Sequence, residues 1–134
     1  FTTFAEDKLT YVCGGGYGLL LAKNGEEYVF EKKNHFLGLR QKPYIERDLP
    51  FGVGDILVLY TDGLTEAMSV DMAPYGDERL KASLVRHASH PLPELAEELL
   101  EDIRQFTFGA EQYDDQTFVL LRVTGPKPKA ILGV

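Results

Sequence analysis

Ile56-Leu57-Val58-Leu59-Tyr60-Thr61-Asp62-Gly63 is an unbroken apolar run that stops on an acidic residue and a glycine. Apolar side chains at consecutive positions put hydrophobic surface on both faces of an extended segment, so the run reads as a strand covered from both sides. The Asp-Gly pair supplies the turn at which the backbone leaves the sheet. It also brings the Asp62 carboxylate to the sheet edge, where it either holds a cation or simply caps the next turn.

A second acidic cluster repeats this logic. Asp114-Asp115-Gln116-Thr117 precedes the apolar segment 118–123, so these acids also stand at a strand end. If that last strand pairs beside 56–60, then Asp62, Asp114 and Asp115 meet in one small region. Oxygen donors of this hardness suit magnesium or manganese rather than zinc. The alternative is two unrelated acidic loops, since acids are common in turns.

Around these motifs the pattern predicts strands at 1–5, 9–13, 18–22, 27–31, 44–49 and 56–60, the first four forming an antiparallel meander. Asn24-Gly25 is the hairpin signal between the third and fourth, because the favoured two-residue turn needs positive φ at both central positions. Two helices follow. One spans 78–88 with Asp77 as N-cap and Leu80, Leu84 and Ala88 on one face. The other begins near Pro93 and ends by Gly109, with Leu95, Leu99, Ile103 and Phe106 at helical spacing. Glu97, Glu98, Glu101 and Asp102 then form its solvated face. The chain reads as one α+β unit over 1–124, followed by a linker-like tail, 125–134, that opens Gly125-Pro126-Lys127-Pro128.

Composition narrows the function classes. A length of 134 residues with 44% hydrophobic content supports one domain with a core. No apolar stretch is long enough to span a bilayer, so membrane contact by this domain is not expected. The net charge of -7 argues against a nucleic-acid partner and is compatible with a cation site. A single cysteine, Cys13, excludes an internal disulfide and reads as a small buried hydrophobe in a chain from a reducing, cytoplasmic setting. Gly14-Gly15-Gly16-Tyr17-Gly18 lacks the Lys-Ser/Thr of a phosphate-binding loop and runs into an apolar strand, so it reads as a tight turn needing positive φ. His87 and His90 lie at a helix end with no third ligand in the local sequence, and read as polar helix-terminal residues rather than zinc ligands. His35 stands alone, and no serine–histidine triad is recognisable.

Read in order, Cys13-Gly14-Gly15-Gly16, Leu37-Gly38-Leu39, Gly54-Asp55, Tyr60 to Ala67, Tyr75-Gly76-Asp77-Glu78-Arg79-Leu80 and Asp114-Asp115-Gln116-Thr117 form a series at fitting separations. In that series the chain resembles the metal-dependent PPM-type (protein phosphatase 2C-like) serine/threonine phosphatases, in the bacterial stage II sporulation protein E-like branch that regulates sigma factors. The resemblance implies an α-β-β-α sandwich of two antiparallel sheets. It implies Asp62 and Asp114 as catalytic metal ligands, with Asp115 a further ligand and Gly63 beside the metal through its backbone. Glu66 would be an outer-shell group orienting a water, or else helix-start acidity. The implied cofactors are two Mn2+ or Mg2+ ions, and the reaction is hydrolysis of phosphoserine or phosphothreonine on a phosphorylated, anti-anti-sigma-like protein.

Two departures qualify what the resemblance carries. The family's earlier Gly-Asp-x-Ser-Gly segment and another upstream acidic ligand have no counterpart here, so the chain matches the C-terminal portion of the domain. Gly16 stands where relatives commonly have histidine. Two divalent ions bring four positive charges, and Asp62, Asp114 and Asp115 offset three, so this chain by itself is expected to hold one ion weakly or none. Missing layers would also leave apolar sheet surface uncovered, which makes a homodimer an expectation. The rival reading is a non-catalytic module of the same fold that binds an anti-sigma or anti-anti-sigma partner.

Overall fold

The computed structural model describes residues 2–5, 8–13, 16–30, 43–112 and 114–125. Seven strands, β1 (Thr2–Ala5), β2 (Lys8–Tyr11), β3 (Tyr17–Leu21), β4 (Glu27–Val29), β5 (Arg47–Pro50), β6 (Ile56–Tyr60) and β7 (Phe118–Arg122), make two antiparallel sheets ordered β1-β2-β5 and β4-β3-β6-β7. Helices α1 (Asp62–Thr65), α2 (Gly76–His87) and α3 (Leu92–Phe106) lie between β6 and β7 in sequence. The Leu37-Gly38-Leu39 motif, His35 and the tail from 126 onward lie outside the described residues.

Strand β6 organises these layers because successive side chains point to opposite sides of the sheet. Ile56, Val58 and Tyr60 pack with Leu19 and Leu21 of β3 against Leu80 and Leu84 of α2 and Leu95, Leu99 and Ile103 of α3. On the other face Leu57 joins Leu20 and Phe30 against Leu9, Tyr11 and Cys13, the buried side of the second sheet. Helices, sheet and sheet thus form three successive layers of an α+β sandwich.

The expected four-strand meander is corrected. β1 and β2 pair, and so do β3 and β4, but β2 takes β5 as its second neighbour and β3 takes β6. The reason is burial: Gly18, Leu19, Leu20 and Leu21 are all enclosed, so β3 needs cover on both faces and sits inside the four-stranded sheet. A meander in one sheet would leave one of those faces wet. The predicted strand at 44–49 forms later, at Arg47–Pro50.

Local chemistry also differs from expectation in three places. In the β3–β4 hairpin only Gly25 has positive φ (87°), and its N–H donates to the Ala22 carbonyl at 2.9 Å, so the loop is a three-residue turn closed by a glycine bulge rather than a two-residue one. Gly16 and Gly18 do not adopt positive φ; Gly18 is required because a Cβ there would lie 2.6 Å from the Phe30 ring. Helix α2 opens a residue before Asp77, whose carboxylate instead accepts a hydrogen bond from the Tyr60 hydroxyl at 2.8 Å. That bond fastens α2 to the end of β6.

The outer face of the three-stranded sheet is polar where it is described: Asp48 accepts from Thr10 at 2.7 Å and from the Lys8 ammonium at 3.0 Å. The four-stranded sheet is less well covered. Val119 and Leu121 stand opposite Leu59 and Leu57, on the face that meets the second sheet, yet remain 50% and 39% exposed. Apolar surface is therefore open along β7.

Asp55, next to the β6 start, is a structural clamp. Its two carboxylate oxygens accept the N–H groups of Lys23 and Gly52, each at 2.7 Å, tying the β3–β4 and β5–β6 turns together. Asp55→Ala is expected to lower stability by about 1–3 kcal/mol by stranding both donors. Asp55→Asn is expected to lose a similar amount, since its amide nitrogen would face one of them. A urea midpoint unchanged in either variant would refute the clamp.

Candidate functional site

The C-terminal end of β6 and the N-terminal end of β7 are neighbours, with Tyr60 paired to Phe118. The chain leaves β6 at Thr61 and immediately turns into α1, a single helical turn whose Gly63, Leu64 and Thr65 are buried. Thr61 stitches the two strand ends together. Its N–H donates to the Thr117 carbonyl at 3.0 Å, its Oγ1 accepts from the Thr117 N–H at 3.1 Å, and that hydroxyl donates to the Asp115 carbonyl at 3.2 Å. The sequence reading passed over Thr61, because a threonine after a strand carries no signal until its partner segment is known.

Gly63 sets how closely the segments approach. A Cβ at this position would fall on the Asp115 carbonyl oxygen, with the carbonyl carbon at 3.1 Å and the Asp114 Cβ at 3.4 Å. Only a residue without a side chain lets the Asp114-Asp115 backbone pack against α1. Asp62 opens α1, and Asp114 and Asp115 lie across from it, so the structure brings the segments carrying these acids to the same sheet edge.

Within that arrangement, Asp62 Oδ1 accepts from the Gly63 N–H at 3.2 Å and Asp114 Oδ1 accepts from the Asp115 N–H at 2.7 Å. Among the described residues the second oxygen of each carries no hydrogen bond. The donors are all oxygen, which suits a hard cation that keeps several waters. The trio does not form a group whose ligand atoms all lie within 4.8 Å of one another; among the described residues His87, His90 and Glu98 alone meet that criterion.

Beside the acids runs an open cleft of about 610 Å3, lined in part by Gly63, Glu66, Met68, Arg104, Asp114 and Gln116. Glu66 is exposed and closes α1, its N–H donating to the Asp62 carbonyl at 2.8 Å. It does not begin a helix, so the helix-start alternative for this residue is set aside. Arg104 brings a cationic group to the cleft, next to Glu101 at 3.8 Å. On the helix side of β6, burial first and then the Asp77 hydrogen bond push the Tyr60 phenol well above its ordinary pKa. Tyr60 thus remains a proton donor to Asp77 and holds α2 in register beside the site.

Comparison with known proteins places this geometry. Nothing matches among curated protein sequences. Among solved structures, the SiaA-PP2C domain of Pseudomonas aeruginosa superposes with a TM-score of 0.75 at 24% identity, over 87% of this chain and 46% of that one. The RsbU and RsbW domains of a Mycobacterium tuberculosis protein give a TM-score of 0.72 at 22% identity, over 93% of this chain and 35% of that one. The phosphatase domain of the cell fate determinant SpoIIE from Bacillus subtilis, presoaked with Mn, gives 0.70 at 17% identity, over 96% and 57%. The chain therefore spans roughly half or less of the structures it resembles. Those likenesses show a shared fold, and the family model described as Stage II sporulation protein E (SpoIIE) matches residues 2–124. The chain belongs to the SpoIIE family and shares its fold with the PP2C domain on which it superposes.

Proposed function

We propose that this chain contributes the C-terminal part of the active site of a metal-dependent protein serine/threonine phosphatase acting on a phosphorylated bacterial regulator in sigma-factor control. The observation that carries the reading is the close packing of the Asp114-Asp115 backbone on Gly63, which sets the two acidic segments at one sheet edge. Two acidic loops with unrelated duties have no need of a glycine at their contact.

In this reading Asp62 and Asp114 hold Mn2+ or Mg2+, Asp115 adds a third carboxylate, and Gly63 stands beside the ion through its backbone. When bound, the divalent ions polarise phosphoryl oxygens and activate water for in-line attack. The chain's own residues do the rest. Thr61 fixes the separation of the acidic segments, Glu66 orients water from the rim, and the cleft toward Arg104 receives the phosphorylated segment. Three carboxylates balance one divalent ion with charge to spare but fall short of two. A complete pair requires further acids from outside this chain.

Two experiments test the proposal. This chain alone is expected to hydrolyse a phosphoserine peptide near background, and Mn2+ is expected to raise its Tm little, since a metal stabilises only in proportion to its affinity for the folded state. A chain extended upstream through another acidic segment should show Mn2+-dependent hydrolysis. Asp62→Asn and Asp114→Asn should each reduce that hydrolysis by at least ~100-fold, the upper loss usual for groups that only support metal ligands. If the extended chain binds a sigma-factor regulator and hydrolyses nothing at any Mn2+ concentration, the fold serves as a non-catalytic binding module instead. Gly63→Ala should destabilise this chain by about 1–3 kcal/mol, because its methyl group must displace the Asp115 carbonyl. A variant of wild-type stability would show that the contact is not needed.

A further inference from the structure

The helix layer carries a second cluster of potential ligands that the local sequence did not disclose. His87 is the last residue of α2, His90 lies in the short connection to α3, and Glu98 sits one and a half turns into α3. One ligand atom from each lies within 4.8 Å of the other two. The His-x-x-His spacing lacks a third donor nearby in sequence, and the Glu98 carboxylate approaches it from the facing helix.

An independent observation points the same way. His87 Nε2 and His90 Nδ1 are both buried and have no hydrogen-bond partner. Buried ring nitrogens ordinarily find one, and leaving two orphaned in adjacent side chains is costly. The Asp102 carboxylate lies 3.8 Å from His87 Nε2, too far for a hydrogen bond and already engaged by Ser83 and by Arg86 at 3.5 Å. The two imidazoles, with centroids 5.5 Å apart and planes at 53°, are not stacked on each other.

We propose that His87, His90 and Glu98 form a transition-metal site, with zinc as the natural occupant. Two imidazoles and one carboxylate are a borderline-soft N2O set, distinct from the all-oxygen set at Asp62 and Asp114. Tetrahedral zinc with ligands at 2.0–2.1 Å needs neighbouring donors about 3.3 Å apart, and rotation of the exposed Glu98 side chain supplies the closure. Water takes the fourth position. The C-terminal end of a helix also favours a cation. Two cations stand near the cluster: Arg86 is held by Asp102 at 3.5 Å, and the Arg122 guanidinium is spent on the carbonyls of Ala88 at 2.6 Å and His90 at 2.7 Å. It therefore positions the loop that carries His90.

The site is separate from the acidic one. Arg122 ends β7 and Phe118 begins it, so the histidine cluster lies at the opposite end of that strand from Asp114, roughly 13 Å along it. An ion there would pin the end of α2 to α3 and brace the helix layer that covers β6.

Zinc titration of this chain, read by calorimetry, by thermal shift and by the visible spectrum of Co2+ as a substitute, tests the proposal. One equivalent should bind with a rise in Tm and a tetrahedral Co2+ spectrum, and excess Mg2+ should not displace it. Glu98→Gln, at an exposed position that leaves the fold intact, and His90→Gln should each weaken binding ~10-fold or more. Asp62→Asn should leave it unchanged. Absence of saturable binding, or equal binding by wild type, Glu98→Gln and His90→Gln, overturns the site. Loss of binding in Asp62→Asn alone would assign the zinc to the acidic cluster and equally overturn it. Since no step of this test depends on phosphatase activity, it stands or falls apart from the proposed function.

Discussion

Burial of β6 on both faces is the constraint from which the rest follows. Five consecutive residues with no polar side chain except the Tyr60 hydroxyl cannot lie at a surface, so the strand demands a helix layer on one side and a second sheet on the other. Each layer is then fastened to the strand's ends. Asp55 clamps the turns at its beginning, the Tyr60 hydroxyl reaches Asp77 of α2, and Thr61 takes the backbone of the 115–117 segment. A buried strand is rigid because moving it would disturb two packed cores at once, and a carboxylate placed two residues beyond its last pair inherits that rigidity.

The acidic edge gains its character from this arrangement. Asp62 and the Asp114-Asp115 pair are separated by about fifty residues of sequence, about half of them in the two long helices that cover the sheet. Their return to one place requires β7 to pair beside β6 and requires position 63 to have no side chain. The cleft at the same edge is lined by both the Asp114 carboxylate and the Arg104 guanidinium.

The four-stranded sheet presents Val119 and Leu121 half-exposed on the face that meets the second sheet, and that second sheet has only three described strands. This chain matches 46%, 35% and 57% of three structures of the same fold. Among the described residues the second sheet is narrower than the first, and apolar surface stays open along β7.

The sequence by itself determined the elements and the chemistry at their ends. The apolar run of β6, the spacing of Leu95, Leu99 and Ile103 in α3, the place of the hairpin at Asn24-Gly25, though not its turn type, and the acids flanking β6 and β7 were legible because each depends on a few neighbouring residues. The tertiary structure decided what those residues face. It divided the first four strands between two sheets, since pairing partners are chosen by which faces can be buried together and not by order along the chain. It moved Asp77 from a helix cap to a partner of Tyr60, made Gly63 the contact point of the acidic segments, and gave Thr61 its task. It also set Glu98, which reads as one more solvated acid on α3, close to His87 at the end of α2 and His90 in the connection that follows. Side chains that act across elements leave no periodic trace in sequence, because the distance between them is fixed by packing and not by the number of residues that separate them.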